Sequence, residues 1–155
     1  MAQQLDSLDI KLLQMLSDNA RKPYLEIARE TGVSGAAIHQ RMAKLQALGI
    51  VKGSETIIDP ASIGYTTCCY LGVRFNNPVE YEDIIDKLRE IREVVECHVT
   101  SGQYDMILKV YARNNQHLLD VVVNKIHALN LGRTETIISF KEMIKRQLPI
   151  EDLDV

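Results

Sequence analysis

Residues 34–48 carry two kinds of side chain at helical spacing. Ile38, Met42, Leu45 and Leu48 recur at intervals of four, three and three, which puts them on one side of a helix. Ala36, His39, Gln40, Ala43 and Lys44 fall on the opposite side. Small residues there permit close approach to another surface, and the imidazole and amide supply hydrogen bonds once it is reached. The major groove of a DNA duplex admits such a helix and presents base edges that those groups pair with. Taken singly, His39 and Gln40 also read as ordinary exposed positions. Arg41, at the edge of the apolar side, also reads as a solvated or salt-bridged surface residue.

The elements that must position this helix precede it. Leu25, Ile27 and Ala28 make a shorter apolar patch, Gly32 breaks that segment, Val33 suits a buried turn, and Ser34 is placed to cap the next helix. Leu5, Leu8, Leu12, Leu13 and Leu16 form the stripe of a first helix that starts near Asp6 or Ser7. Three helices with the last two close-set predict a helix-turn-helix domain. After Leu48-Gly49, residues 50–59 are expected to form a short hairpin or wing with Gly53 as its turn, ending at Asp59-Pro60.

Charge concentrates in the same place. Residues 21–52 hold six basic side chains (Arg21, Lys22, Arg29, Arg41, Lys44, Lys52) against two acidic ones (Glu26, Glu30), a local balance of +4. The whole chain is net −3, with 18 Lys and Arg against 21 Asp and Glu, so it is no general polyanion binder. Phosphates need cations only where the duplex lies. A nucleic-acid-facing N-terminal module joined to an acidic module of another role follows.

Other function classes find little support. The 155 residues are 46% hydrophobic and 25% charged, ordinary for a soluble globular chain. No apolar run approaches the roughly 20 residues of a membrane-crossing helix, and the N-terminal stretch is interrupted by Asp6, Asp9 and Lys11, unlike a secretory signal. Cys68, Cys69 and Cys97 form neither an even disulfide framework nor a CxxC metal motif, so a cytoplasmic, reduced setting is expected. His39, His98, His117 and His127 lie in different elements or too far apart to share a metal, and no nucleophile motif or phosphate-binding glycine run is present.

Beyond the linker at Ala61-Ser62-Ile63-Gly64 the pattern changes. Residues 66–75 alternate as a strand with Thr67, Cys69, Leu71, Val73 and Phe75 on one face, and Asn76-Asn77-Pro78 ends it. Tyr81, Ile84, Ile85, Leu88 and Ile91 mark a helix. Strands follow over 94–101, with Val95, Cys97 and Val99 facing one way, and over 105–112, with Met106, Leu108 and Val110 inward. Leu118, Leu119, Val122, Val123, Ile126 and Leu129 mark a second helix closed near Gly132, and 133–144 a fourth strand. The order β-α-β-β-α-β is that of a ferredoxin-like sandwich, two helices on one face of an antiparallel sheet. The fold class is therefore α+β, a winged helix-turn-helix over 1–59 and a ferredoxin-like domain over 60–155. Tyr70, Ile107, Tyr111 and Ile137 are left on the uncovered face, which a second copy is expected to cover. The tail from 144 is polar, acidic at its end, and stopped as a strand by Pro149.

With both halves in view the chain resembles the Lrp/AsnC family of transcription regulators, and most closely its AsnC branch. The resemblance lies in LDSLDIKLLQML, EIARETGVS and IHQRMAKLQALGIVKG in the first half, and in GYTTCCYLGV, VTSGQYDMILKV and TETII in the second. It implies that the helix from Ser34 to Gln46 enters the major groove, with Ala36, His39, Gln40 and Lys44 nearest the bases. Arg21, Lys22, Arg41 and Lys52 then hold phosphates. It also implies a homodimer that assembles to an octamer or larger, and a small amino acid as effector with no metal or organic cofactor. The effector's expected surroundings are His98, Ser101, Gly102, Gln103, Tyr104 and Asp105, with Thr134, Thr136 and Ile138 from the last strand. Asp105 suits an ammonium, and backbone NH groups around Gly102 or the Thr136 hydroxyl suit a carboxylate; Asp105 also fits as the cap of its own turn. The competing expectation is a ligand-independent architectural protein that organises DNA.

Overall fold

The computed structural model describes residues 5–76 and 81–150. The Asn77-Pro78 break and the acidic residues from 151 onward lie outside them. The chain divides into two compact units, Met1–Ile57 with Ile144–Val155, and Ile58–Met143. The tail from 144 thus groups with the first unit rather than with the domain expected over 60–155, and within that unit the Gln14 side-chain amide donates to the carbonyl of Ile150 at 2.8 Å.

The first unit holds α1 (Ser7–Asp18), α2 (Tyr24–Thr31) and α3 (Gly35–Ala47). Asp6 caps α1: its carboxylate accepts from the NH groups of Leu8 (3.0 Å) and Asp9 (2.9 Å), while the Asp9 carboxylate accepts from the Asp6 NH, so the box is closed from both sides. Gly32 ends α2 in the left-handed region at φ 72°, and two residues later the Ser34 hydroxyl accepts from the Ala37 NH to start α3. Leu12, Ile27, Ala28, Ile38, Met42 and Leu45 are the buried core, with Leu16, Tyr24, Val33, Ile50 and Val51 packed around it. Leu25 and Leu48 were expected in that core and are exposed. Leu25 leans over the Cα of Gly35 instead, and Leu48 already belongs to the C-cap of α3. The wing does not form: residues 51–59 have no strand ladder, and Gly53 takes a positive φ of 150° without closing a hairpin.

The second unit runs β1 (Thr67–Phe75), α4 (Tyr81–Arg89), β2 (Val94–Val99), β3 (Met106–Ala112), α5 (Asn115–Asp120) and β4 (Gly132–Ser139). The strands are antiparallel in the order β2-β3-β1-β4, the ferredoxin-like arrangement. Cys69, Leu71, Val73, Met106, Leu108 and Val110 point to the helical side and pack on Ile84, Leu88, Leu118, Val121, Val122 and Ile126. An irregularity between Val94 and Glu96 shifts the register of β2, so Val94 and Cys97 pack on the core while Val95, expected on the same face as Cys97, is exposed. After α5 the helical path widens to a π turn (Val121–Ile126) and tightens to a 3₁₀ turn (His127–Leu129). Asn130, at φ 52°, ends it two residues before Gly132. Leu119 and Val123 stand on its outer side. At the start of β2, Glu93 accepts from Lys125 (2.7 Å) and lies 3.2 Å from His117, tying the strand to the helix. No helix among the described residues is long and apolar enough to cross a membrane.

Candidate functional site

Two groups of residues carry the expected chemistry, one in each unit. On α3 the buried side is Ile38, Met42 and Leu45, and Ala36, His39, Gln40 and Ala43 are exposed. The two flanks of that outer face are occupied. On one, the His39 ring meets the Tyr24 ring edge-on with centroids 4.8 Å apart. On the other, Arg41 Nη1 lies 2.7 Å from Asp9 Oδ1 and 2.5 Å from Asp6 Oδ2, and Lys44 Nζ lies 3.2 Å from Asp9 Oδ2. Asp9 has no solvent exposure, so these cations are its compensation. Arg41, expected to hold a phosphate, has its guanidinium turned to α1. Asp6 and Asp9 are the functional neighbours that the reading of residues 21–52 missed, and only their i, i+3 spacing at a helix start hinted at them. Lys22 is drawn to Glu30 at 2.7 Å, while Arg21 and Lys52 are exposed on the same unit.

In the second unit the turn Ser101-Gly102-Gln103 is exposed, and Gly102 takes φ 107°, where a side chain is strained. Asp105 does not cap its own turn with its side chain: its Oδ2 accepts from the Phe75 NH in β1 (2.8 Å), while its backbone NH donates to the Val73 carbonyl (2.9 Å) and its carbonyl accepts from the Thr100 NH (3.0 Å). The Thr100 hydroxyl donates to the Tyr104 carbonyl at 2.7 Å. The Tyr104 ring lies over Gly72, where a Cβ would come within 2.6 Å of it, so the glycine in mid-strand is what admits the ring. Its hydroxyl donates to Glu135 and receives the Gln103 amide at 3.1 Å, and the Arg74 guanidinium sits 5.8 Å from the ring centre. The Glu135 carboxylate, by accepting that bond, raises the Tyr104 hydroxyl above its usual pKa.

Strand alternation separates the rest of the expected set. Glu135 pairs with Gly72, on the open face with Tyr104. Thr134, Thr136 and Ile138 pair with Val73, Leu71 and Cys69 and therefore face the helical side, where His127 Nε2 lies 2.7 Å from the Thr134 hydroxyl. His98 pairs with Ile107 on the open face and lies 3.4 Å from Glu96. Within one chain, then, the turn gathers Gln103, Tyr104, Arg74 and Glu135, and the threonines are across the sheet. Glu135 was missed although the alternation of 133–139 puts it outward. Among the described residues no group of three or more His, Cys, Asp or Glu is placed to hold a metal.

Two family models match, the AsnC-type helix-turn-helix domain over residues 5–46 and the Lrp/AsnC ligand binding domain over 68–149. Regulatory protein AsnC of Haemophilus influenzae is 40% identical over 145 residues, 93% of this chain and 97% of that protein. The structure of Escherichia coli AsnC superposes with a TM-score of 0.87 at 33% identity, covering 94% of this chain and 99% of that one. A Neisseria meningitidis transcriptional regulator solved with L-Met shares the fold at a TM-score of 0.89 and 23% identity, covering 97% and 99%. Matched in both halves, and along nearly its whole length by a relative at 40% identity, the chain belongs to the Lrp/AsnC family, DNA-binding regulators of transcription rather than enzymes.

Proposed function

We propose that this regulator reads DNA with the outer face of α3 and that a small amino acid, bound beside the 101–105 turn, alters that binding or the assembly of the protein. The observation that carries the first half is the division of α3: one side wholly buried, the other lined by Ala36, His39, Gln40 and Ala43 in solvent. Ser34 begins the helix and stands where a phosphate reaches its N-terminal NH groups. Arg21, Lys22, Lys44 and Lys52 hold the backbone. Arg41 is left out of this set, its cation being engaged by α1.

For the effector, Glu135 and the Asp105 oxygen not used by Phe75 serve an ammonium, and NH groups around Gly102 serve a carboxylate. Thr134, Thr136 and Ile138 would contribute where a neighbouring copy completes the site from the other side. The open sheet face joins two chains, pairs assemble further, and the protein works in the cytoplasm. L-Met, seen with the Neisseria regulator, belongs among the first compounds to try.

The test has two arms. A duplex carrying the DNA upstream of the chain's own gene should bind with an affinity that falls steeply with salt. Each of the twenty amino acids is then screened by melting. A ligand of the folded form raises the midpoint by mass action, and Glu135→Gln should abolish that rise with DNA binding intact. Salt-insensitive or absent DNA binding, or no amino acid shifting the midpoint, would count against the corresponding half.

A further inference from the structure

A helix that reads DNA must be fixed in rotation about its own axis, because one residue's turn swings the reading face by about 100°. The core side of α3, Ile38, Met42 and Leu45, fixes which stripe is buried, but apolar contacts constrain small rotations about the axis less sharply than directional bonds do. Directional bonds are made at the flanks. Arg41 and Lys44 stand three residues apart on one flank, and both reach the same carboxylate, Asp9, at 2.7 and 3.2 Å. Asp6, which caps α1 through the NH of Asp9, shares the same Arg41 nitrogen, Nη1, at 2.5 Å. The opposite flank rests on Tyr24 through His39.

We propose that Asp9 is a positioning residue for DNA reading: it fixes the rotation of α3 through Arg41, and Arg41 contributes to recognition through Asp9 and not through a phosphate. The unequal partners fit this division. Arg41 is largely covered and binds two carboxylates, while the Lys44 side chain is half exposed and holds Asp9 at the longer distance. Lys44 is therefore free to turn to a phosphate with Asp9 still compensated by Arg41.

The inference rests on the DNA-binding reading above, and its test keeps the two apart. The wild-type protein first selects a duplex from a randomised pool; if it enriches none, the DNA reading itself falls and the inference with it. Affinities for the selected duplex and for a scrambled one of equal length are then measured across a salt series for Asp9→Asn and Arg41→Gln, well below each variant's melting midpoint. Preference for the selected duplex should fall by about tenfold or more, the discrimination that one good base contact supplies. Affinity for the scrambled duplex and its salt slope should not move. A variant that merely unfolds in part loses both affinities equally and keeps the preference, which overturns the proposal. So does an Arg41→Gln protein whose salt slope is shallower by about one, the mark of a lost phosphate contact. If either single variant melts too early, Asp9→Leu with Arg41→Met decides by the same ratio, since an apolar pair leaves no buried charge unpaired.

Discussion

A carboxylate with no exposure must be matched by cations or take up a proton, and Asp9 is matched. Burial by itself would raise its pKa, but hydrogen bonds from Arg41, the Asp6 NH and Lys44 outweigh that and hold the group below the usual carboxylate value. Asp6 is lowered as well, chiefly by its bond from Arg41. A group whose pKa is lower folded than unfolded adds stability that is full above the unfolded value and lost as pH falls through the folded one. The first unit should therefore melt progressively lower as pH drops below about 4, the unfolded carboxylate range. Asp9→Asn should be less stable than wild type at neutral pH by about 1.5–3 kcal/mol, the cost of losing charge-assisted hydrogen bonds while Arg41 keeps Asp6. Its melting point should then vary less with acid. Asp6, half exposed, contributes little of this. Melting followed by circular dichroism over an acid series reads both effects. A wild-type curve as flat as the variant's would show the pair to be idle.

At the scale of elements, local patterns were legible where a neighbour agreed with them. The three helices, the Ser34 cap, the α4 stripe and the alternation of β1 and β3 could all be read from spacing, because each buries the face its period presents. The failures share a different cause, dependence on a partner distant in sequence. Residues 133–144 alternate to the end, yet β4 stops at Ser139 because its partner Cys68 lies at the end of the β1 ladder. Residues 50–59 lack any strand to pair with. Arg41 looked like a phosphate ligand because Asp9 is 32 residues away. Of the candidate effector set, the turn around Asp105 was readable and Glu135 was not, since only the pairing of Glu135 with Gly72 brings it to Tyr104. That pairing also carries a prediction. In Gly72→Ala the new methyl meets the Tyr104 ring near its base, where the side chain cannot swing clear without leaving Glu135. A loss of about 1–3 kcal/mol is expected, as for overpacking generally, together with loss of any amino-acid-induced rise in melting. A fully stable variant that still responds would separate Tyr104 from the effector.

The whole molecule must reconcile an acidic chain with a phosphate backbone. Its charge of −3 works against loose binding to any polyanion, and two +4 modules engaging one duplex, as the proposed dimer offers, would raise the affinity. The open sheet face is suited to join them. Tyr70 and Ile137 stand exposed there beside Ile107 and Tyr111, and between the two tyrosine rings runs Lys109, almost wholly covered and paired with Glu96 at 3.2 Å and Glu142 at 3.6 Å. Burial alone would lower the Lys109 pKa, yet the Glu96 carboxylate more than reverses this and the group stays charged. Around Tyr70, Ile107, Tyr111 and Ile137 the face is thus largely apolar, and the one lysine among them is already neutralised, so its charge adds little further desolvation against a partner. Ile137→Asp places an unpaired carboxylate in that surface. Sedimentation across a concentration series should show self-association weakened by a factor of about thirty or more, the loss of one central anchor of 2 kcal/mol or above. Affinity for a duplex with two half-sites should fall in step, while affinity for a single half-site stays where it was, because α3 is untouched. If the variant remained as tightly associated as wild type, the open sheet face would not be where two copies meet, and the proposed dimer surface would fall.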